Sequence, residues 1–404
     1  MFVGSRGHHA DVGGITPGSM PAFSTHIDQE GVMITNFKLV DEHVFQESAM
    51  MNLLTGGQYP CRNPEQNMAD LRAQIAANEK GIEEIRRSVE QYGLLMFKSY
   101  MQFVQDHACQ AVTQILKTIR SGTYRLPLDN GAVICVRIDI DSSAGSAVID
   151  FAGTSPQLSN NFNAPKAVSI AAVLYVLRTL VDDEIPLNAG CLEPVEVRVP
   201  LGSMLNPLPG AAVVAGNVET SMCITNALFG ALGVLASSQP TMNNLTFGNE
   251  KYQYYETIAG GSGAGGIWSD QGELQGGFDG TSVVQTHMTN SRLTDPEVLE
   301  SRFPVLLESF CIRKDSGGRG RFKGGDGAVR TLRFLEDMTL SILSNGRTYP
   351  AFGVQGGEPG HKGENLILRE NGQQEVLAHS DQTQMRPGDR VQIHTPGGGA
   401  FGQY

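Results

Sequence analysis

The sequence predicts an α+β protein: a large, mixed, multi-layer body with a central helical pair and a β-rich, Gly-rich C-terminal part. Two observations carry this prediction. Apolar residues recur at helical spacing after residue 63, and at a spacing of two after residue 131. Helices and strands are both frequent but show no regular βαβ alternation, which favours α+β. At 404 residues the chain exceeds the usual size of one core, so several packed substructures are expected.

The first 122 residues divide into two predicted segments. Residues 1–62 form a Gly- and His-rich loop and strand segment, extended over 33–37 and 38–40, that carries a possible metal ligand. Residues 63–122 form a helical hairpin, in which Asn63 caps, Pro64 starts and Gln66 completes a capping-box pattern. The chain reverses at Tyr92-Gly93. Each helix has one apolar face: Met68, Leu71, Ile75, Ile82, Ile85 and Val89 in the first, and Met96, Tyr100, Phe103, Val104, Ala111, Ile115 and Ile119 in the second.

The remaining chain divides into an α+β catalytic core over 123–310 and a β-rich C-terminal part over 311–404. In the core, alternating residues on both sides of an Asp-Ser-Ser-Ala-Gly turn predict a β-hairpin ending at Asp150. Helices are expected over 166–181 and 219–236. In the C-terminal part, short alternating runs between turn residues predict strands over 329–334, 338–344, 365–369 and 391–394.

Composition excludes several classes of protein. A formal net charge of −12 with no basic run argues against a nucleic-acid-binding surface. Six cysteines without a CxxC pair favour reduced thiols over a disulfide framework or a zinc knuckle. No apolar run is long enough to span a membrane, and the first residues lack the apolar core of a signal peptide. A cytoplasmic protein is therefore expected.

The densest chemical motif is RGHHADVGGITPG, over residues 6–18. Two imidazoles and a carboxylate, from His8, His9 and Asp11, lie within four residues, and such groups suit Mn, Fe or Zn. Neighbouring side chains on extended backbone point in opposite directions, so only one of the two histidines can face a given ion unless the backbone bends. The alternative is a pair of solvent-facing histidines near a flexible terminus.

Two further polar clusters are candidates for catalysis. One contains Asn217 and Glu219 just before an apolar helix, where Glu219 has an alternative role in the first helical turn. The other contains His287 and Asn290, which supply acid–base and amide groups, and its alternative is an ordinary loop. The Gly-rich stretches 259–266 and 315–327 lack the P-loop pattern, so the chain is not expected to bind ATP itself. No GxSxG motif supports a serine hydrolase.

Taken together, the motifs resemble the hydantoinase B/5-oxoprolinase family, and the likeness runs along essentially the whole chain. The segments that carry it, in order, are RGHHADVGGITPGSMP (6–21), DFAGTSPQ (150–157), NAGCLEPV (188–195), GNVETS (216–221), QPTMNNLTFG (239–248), YETIAGGSGAG (255–265), HMTN (287–290), GGRGRFKGGDG (317–327) and TPGGGAFG (395–402). The sequence of residues 287–327 resembles 5-oxoprolinases more than it resembles the acetone carboxylase branch.

The resemblance implies a two-part reaction. A hydantoinase A-type, actin-like ATPase half would phosphorylate a lactam or hydantoin, using ATP that is not bound by this chain. This chain would then be the hydrolase half that adds water and releases the ring nitrogen, giving glutamate from 5-oxoproline, a reaction of glutathione metabolism. The same resemblance suggests His8 as first choice of metal ligand, with Asp11 and His9 as alternates. It places His287, Asn290, Asn217 and Glu219 in the pocket, with His287 or Glu219 as proton carrier.

The chain departs from the family pattern at its start. Family members carry an opening segment with a His-x-x-Asp pair, expected to supply further metal ligands, and this sequence begins after it. Either a second polypeptide completes the site in a homo- or hetero-oligomer, or the chain is a truncated, non-catalytic remnant that only binds the ATPase half. An ATP-dependent ketone carboxylase subunit is the alternative chemistry.

Overall fold

The computed structural model describes residues 1–9, 11–182, 184–268 and 273–404. Its helices are α1 (Glu47–Thr55), α2 (Pro64–Tyr92), α3 (Leu94–Leu116), α4 (Lys166–Leu180), α5 (Ser221–Leu232) and α6 (Pro296–Arg302). Its strands are β1 (Val40–Asp41), β2 (Val44–Phe45), β3 (Gly122–Pro127), β4 (Val133–Asp141), β5 (Ser146–Asp150), β6 (Val195–Arg198), β7 (Asn244–Gly248), β8 (Gln253–Thr257), β9 (Gly265–Trp268), β10 (Leu274–Phe278), β11 (Val305–Arg313), β12 (Gly327–Phe334), β13 (Met338–Leu343), β14 (Glu364–Leu368), β15 (Gln374–Leu377), β16 (Ser380–Met385) and β17 (Arg390–His394). The predicted α+β class is confirmed.

Helices α2 and α3 are the two helices predicted after residue 63. The Asn63 side chain accepts a hydrogen bond of 3.3 Å from the Gln66 amide, as the predicted cap requires. The side chain of Gln66 does not complete the capping box but donates to Asp70 at 2.8 Å. Gly93, with φ 81°, separates the two helices and changes the direction of the chain between them. Two features differ from the prediction. Helix α1 lies in the segment predicted as loops and strands, and residues 33–37 do not form a strand.

The first hydrophobic core lies between α4, α5 and the four-stranded sheet β3-β4-β5-β6. The predicted hairpin is present as β4 and β5, which pair antiparallel, whereas β5 and β6 pair parallel. Apolar residues on alternate strand positions pack against the two helices. Helices α4 and α5 correspond to the helices predicted over 166–181 and 219–236. Representative members are Ile134, Val136, Ile138, Ile149, Val173, Val176, Ile224 and Leu228.

The second core lies between two antiparallel sheets, with strand orders β16-β13-β7-β8 and β11-β12-β17-β14-β15. The four strands predicted beyond residue 311 are β12, β13, β14 and β17. Strand β13 pairs with β7, and β11 crosses position 310, so the C-terminal strands share sheets with earlier parts of the chain. A smaller third core packs α1 against the start of α2.

The Gly-rich stretches stack backbone on backbone beside these sheets. The amide of Gly325 donates to the Ser262 carbonyl, and the amide of Gly398 donates to the Gly325 carbonyl, each at 2.9 Å. A Cβ at Gly261 or Gly398 would collide with main-chain atoms of a neighbouring stretch. The glycines are therefore needed for close packing of the backbone.

No helix within the described ranges is both long and apolar enough to cross a bilayer.

Candidate active site

An extended N-terminal segment runs between α2 and the cavity beside α4. On one side, Ser5 donates to the Gln74 carbonyl at 3.3 Å, and His9 Nδ1 lies 3.1 Å from Asp70 Oδ2. On the other side, Arg6 and His8 line the cavity. The two adjacent histidines thus point in opposite directions, as extended backbone dictates, and His8 is the histidine that faces the cavity.

The smaller of two neighbouring cavities, of about 460 Å³, brings together three residues singled out from the sequence. His8, Asn217 and His287 line it, although they lie far apart along the chain. One wall is formed by small apolar residues of α4, and Tyr175 closes the same wall. Arg6 supplies a cationic side chain. The space is large enough for a small cyclic molecule with polar groups.

The larger cavity, of about 870 Å³, adjoins the smaller one. Tyr175, His287 and Met288 line both, so the Tyr175–His287 pair stands at their junction. Asn290, another residue predicted for the pocket, lines the larger cavity only. Both cavities therefore present polar groups next to the same imidazole.

The hydrogen bonds of Asn226 assign the proton on His287. The Ser238 amide donates to Asn226 Oδ1 at 3.1 Å, and Asn226 Nδ2 donates to the Ser238 carbonyl at 3.2 Å, which fixes the side-chain amide. Asn226 Oδ1 therefore faces His287 Nε2, 3.1 Å away, and Nε2 must carry the hydrogen. The other nitrogen, Nδ1, is left as an acceptor for the Tyr175 hydroxyl at 3.4 Å.

His287 is held as a neutral base. Its ring lies 5.7 Å from the rings of both Tyr175 and Phe229. Burial among these groups lowers the pKa of His287 to about 4. Its backbone has φ 63°, a region that non-glycine residues rarely adopt and that is often found at functional sites.

Two polar atoms beside His287 have no protein partner. Thr286 Oγ1 and Gln285 Oε1 are inaccessible to solvent and make no hydrogen bond, and both residues line the larger cavity. Unpaired buried polar atoms are costly. Neither atom is exposed to the cavity, so contact with a bound molecule would require these side chains to rotate.

Asn217 and Glu219 lie on one irregular turn and face different surroundings. Residues Gly216–Thr220 form a π-helical turn that leads into α5. Such insertions are frequent at functional sites because they change the direction of side chains. Asn217 lines the smaller cavity, whereas Glu219 lies among the buried side chains behind it.

Glu219 is fully buried in a polar network and lines neither cavity. Its Oε1 accepts hydrogen bonds from the Thr241 hydroxyl at 2.9 Å, the Met242 amide at 2.9 Å and the Asn244 amide group at 2.6 Å. Burial raises the pKa of Glu219 to about 8, opposed by these donors and by Arg347. The observed contacts are those of a residue that joins α5 to β7.

Asp11 and His9 are also held by protein partners. Asp11 accepts from the Arg62 guanidinium at 2.9 Å and from the amides of Arg62 and Gly13. His9 is paired with Asp70. Among the described residues no three His, Cys, Asp or Glu side chains come together as a metal centre. The described residues therefore do not form a fitting ligand set for the predicted ion around His8.

Sequence reasoning missed Tyr175 and Asn226. Both lie on helices whose other residues are mostly apolar, α4 and α5. A polar side chain inside such a helix is the signal that could have identified them, since buried polar groups require partners.

The chain matches the hydantoinase B/oxoprolinase family over residues 1–404. It is 46% identical to 5-oxoprolinase 1 of Arabidopsis thaliana and 44% identical to 5-oxoprolinase of Dictyostelium discoideum, with all of this chain aligned in each case. It spans about a third of the length of these relatives, 33% and 32%. Its fold is similar to that of an ATP-dependent caprolactamase from Pseudomonas jessenii, with a TM-score of 0.81, 24% identity, and coverage of 98% of this chain and 71% of that one.

Proposed function

The chain belongs to the hydantoinase B/oxoprolinase family, and on that premise we propose that it is the hydrolase half of an ATP-dependent enzyme that opens a cyclic amide such as 5-oxoproline or a hydantoin. The observation that carries the proposal is the convergence of His8, Asn217 and His287 on one cavity. The names of the two 5-oxoprolinase relatives support the substrate class.

The reaction assigned to this chain begins with an amide already phosphorylated on oxygen. Phosphorylation removes the resonance that protects the amide, so water can add to the ring carbon. The carbon–nitrogen bond then breaks and the leaving nitrogen takes up a proton, which leaves an acyl phosphate. A second water must then cleave this acyl phosphate to the carboxylate and inorganic phosphate. The protein's task is to orient water, stabilise charge and move that proton.

The Tyr175–His287 pair is suited to moving the proton. As water attacks, its proton passes to the Tyr175 oxygen while the tyrosine proton moves to His287 Nδ1, and the reverse transfer delivers a proton to the leaving nitrogen. The low pKa of His287 means that an imidazolium formed in this way readily returns its proton. We assign the proton-carrier role to His287 rather than Glu219 because Glu219 lines neither cavity.

The other lining residues bind and orient the intermediate. Asn217 offers an amide group to the ring, and Arg6 is positioned to balance phosphoryl charge in the smaller cavity. Asn290 lines the larger cavity, where it can bind the opened product. The predicted divalent ion at His8 enters none of these steps, and it stays a prediction that metal analysis of the full protein would test.

We further propose that the ATP-using step belongs to a hydantoinase A-type half, supplied by a partner or by further chain. The Gly-rich stretches of this chain are packed against one another, which supports an ATP site elsewhere. A cytoplasmic location is supported by six unpaired cysteine thiols.

The direct test combines this chain with an ATPase half, ATP and 5-oxoproline, and measures glutamate. We expect glutamate only when all components are present. Carboxylate formation from a ketone and bicarbonate, without ring opening, would support the carboxylase alternative. No product from any lactam, hydantoin or ketone tested would support a non-catalytic remnant.

A further inference from the structure

The turn that carries Asn217 has π-helical rather than α-helical geometry. Residues Gly216–Thr220 form the turn, and the Thr220 amide donates to the Ala215 carbonyl, five residues back, at 3.1 Å. A π-helical turn contains one more residue than the α-helical turn it replaces, and one residue of an α-helix corresponds to a rotation of about 100°. If the turn relaxed to an α-helix, Asn217 would rotate by about that angle relative to α5.

The direction of the Asn217 side chain depends on this backbone turn. No residue in the described part of the chain forms a hydrogen bond with the Asn217 side-chain amide, whereas its main-chain carbonyl accepts from the Ser221 hydroxyl at 2.6 Å. Asn217 is partly exposed and lines the smaller cavity, while its neighbours Gly216 and Val218 are buried. The winding of the turn therefore aims the amide into the cavity.

Glu219 fastens the turn to the second core. Three donors from residues 241–244 converge on its Oε1, and the Asn345 side chain donates to its Oε2 at 3.3 Å. Asn244 begins β7 and also donates to the carbonyl of Leu343, the last residue of β13, at 2.8 Å. The carboxylate is thus bound to groups that the sheet holds in place.

The chain on both sides of the turn is fixed independently. Before the turn, Oε1 of the buried Glu30 accepts from the Val213 and Val214 amides, each at 3.0 Å. After the turn, α5 is packed into the first core through residues such as Ile224 and Leu228. Glu219 therefore controls the winding between two fixed flanks.

We propose that Glu219 is a positioning residue for ring opening, which holds the π-helical turn that aims the Asn217 amide into the smaller cavity. This role rests on the proposed function, in which Asn217 binds the ring. Glu219 lines neither cavity, so it acts through Asn217 and not on the substrate. A Glu219 that only stabilised the fold would have an effect independent of Asn217, and the two roles can be separated on that ground.

A double-mutant cycle on kcat/KM for glutamate formation by the full enzyme measures this dependence. Methionine has about the length of glutamate but accepts hydrogen bonds only weakly. Asn217→Ala and Glu219→Met should each lower kcat/KM about tenfold or more. The double variant should lie within about twofold of Asn217→Ala, because the turn then has no amide to aim. The control is Glu256→Gln, which changes another buried carboxylate and whose effect should multiply with that of Asn217→Ala.

Crystal structures of the wild type and Glu219→Met test the geometry without an activity assay. The variant should lose the π-helical turn, and its Asn217 should turn away from the cavity. A folded variant that keeps the turn and Asn217 in place would overturn the proposal. Unchanged kcat/KM in either single variant, or effects of Glu219→Met and Asn217→Ala that multiply, would overturn it as well.

Circular dichroism and thermal unfolding show whether Glu219→Met is folded. If it is not, Glu219→Gln takes its place in the cycle, because it removes the charge but keeps an acceptor; its effect should be smaller and should again disappear in the Asn217→Ala background, and a multiplied effect would overturn the proposal. A wild-type enzyme that opens no cyclic amide would refute the proposed function, whereas the crystal structures would still decide whether Glu219 places Asn217.

Discussion

The neutral state of the partly buried His287 makes the stability of this protein depend on pH in a calculable way. The folded state lowers the pKa of His287 from its ordinary value of 6.5 to about 4. Because this pKa is lowered, the unfolded state binds the proton first as pH falls. Unfolding therefore becomes more favourable between pH 6.5 and 4, and the penalty is absent well above pH 6.5.

The size of the effect follows from these two pKa values. At pH 5 the unfolded histidine is almost fully protonated and the folded one is mostly neutral. Linkage gives a loss of about 2 kcal/mol of stability between pH 7 and pH 5 from this residue alone. The variant His287→Gln lacks the titrating group, so its free energy of unfolding should fall less than that of the wild type, by about 2 kcal/mol over this interval.

Urea unfolding followed by circular dichroism at pH 7 and pH 5 measures this difference. The control is His43→Gln, because His43 is solvent-exposed and the same group is removed. Parallel pH dependences for wild type and His287→Gln would refute the assignment of a neutral imidazole in the folded protein. Nitrogen-15 NMR of the ring provides a second check, with Nε2 protonated and Nδ1 bare at pH 6.

Two further perturbations test other parts of the structure. Tyr175→Phe should lower kcat at least tenfold with little change in KM, because it removes the hydroxyl that faces His287 Nδ1 but keeps the ring; unchanged kcat in steady-state assays would exclude the proposed proton path. Glu256→Ala should lower the free energy of unfolding, measured by chemical denaturation, by about 3–5 kcal/mol, because it leaves the buried Arg330 unpaired. The double variant Glu256→Leu/Arg330→Met should have a free energy of unfolding much closer to that of the wild type, and equal losses in both variants would contradict this account of the buried ion pair.

Local periodicity explains which parts of the fold could be predicted. The apolar face of helix α2 is buried near its start and partly buried further along, and the strands of the hairpin β4–β5 alternate between more and less buried residues, so their apolar residues recur at a recognisable spacing. Strand β7 was not predicted because all of its residues are buried, including Asn244 and Thr246. A segment with polar residues and no apolar–polar alternation is predicted as a loop, because the sequence does not show the buried partners of those polar residues.

The site was predictable only in part, for a similar reason. The motifs contained His8, Asn217 and His287, but their meeting depends on tertiary packing of three separate segments. Asp11 illustrates the limit, because its partner Arg62 is 51 residues away and nothing in the local motif reveals the ion pair. Glu219 has the residue type of a proton carrier, yet only the structure shows that it is enclosed by hydrogen-bond donors.

The most direct test of the central claim is the ratio of ADP to glutamate formed by the full enzyme with 5-oxoproline. If this chain acts after phosphorylation, His287→Ala should continue to form ADP while glutamate falls at least 100-fold, so the ratio rises. Retention of a normal ADP rate also shows that the variant is folded and engaged with the ATPase half. If ADP and glutamate fall together at a constant ratio, or if neither changes, the assignment of ring opening to the cavity of His8, Asn217 and His287 is contradicted.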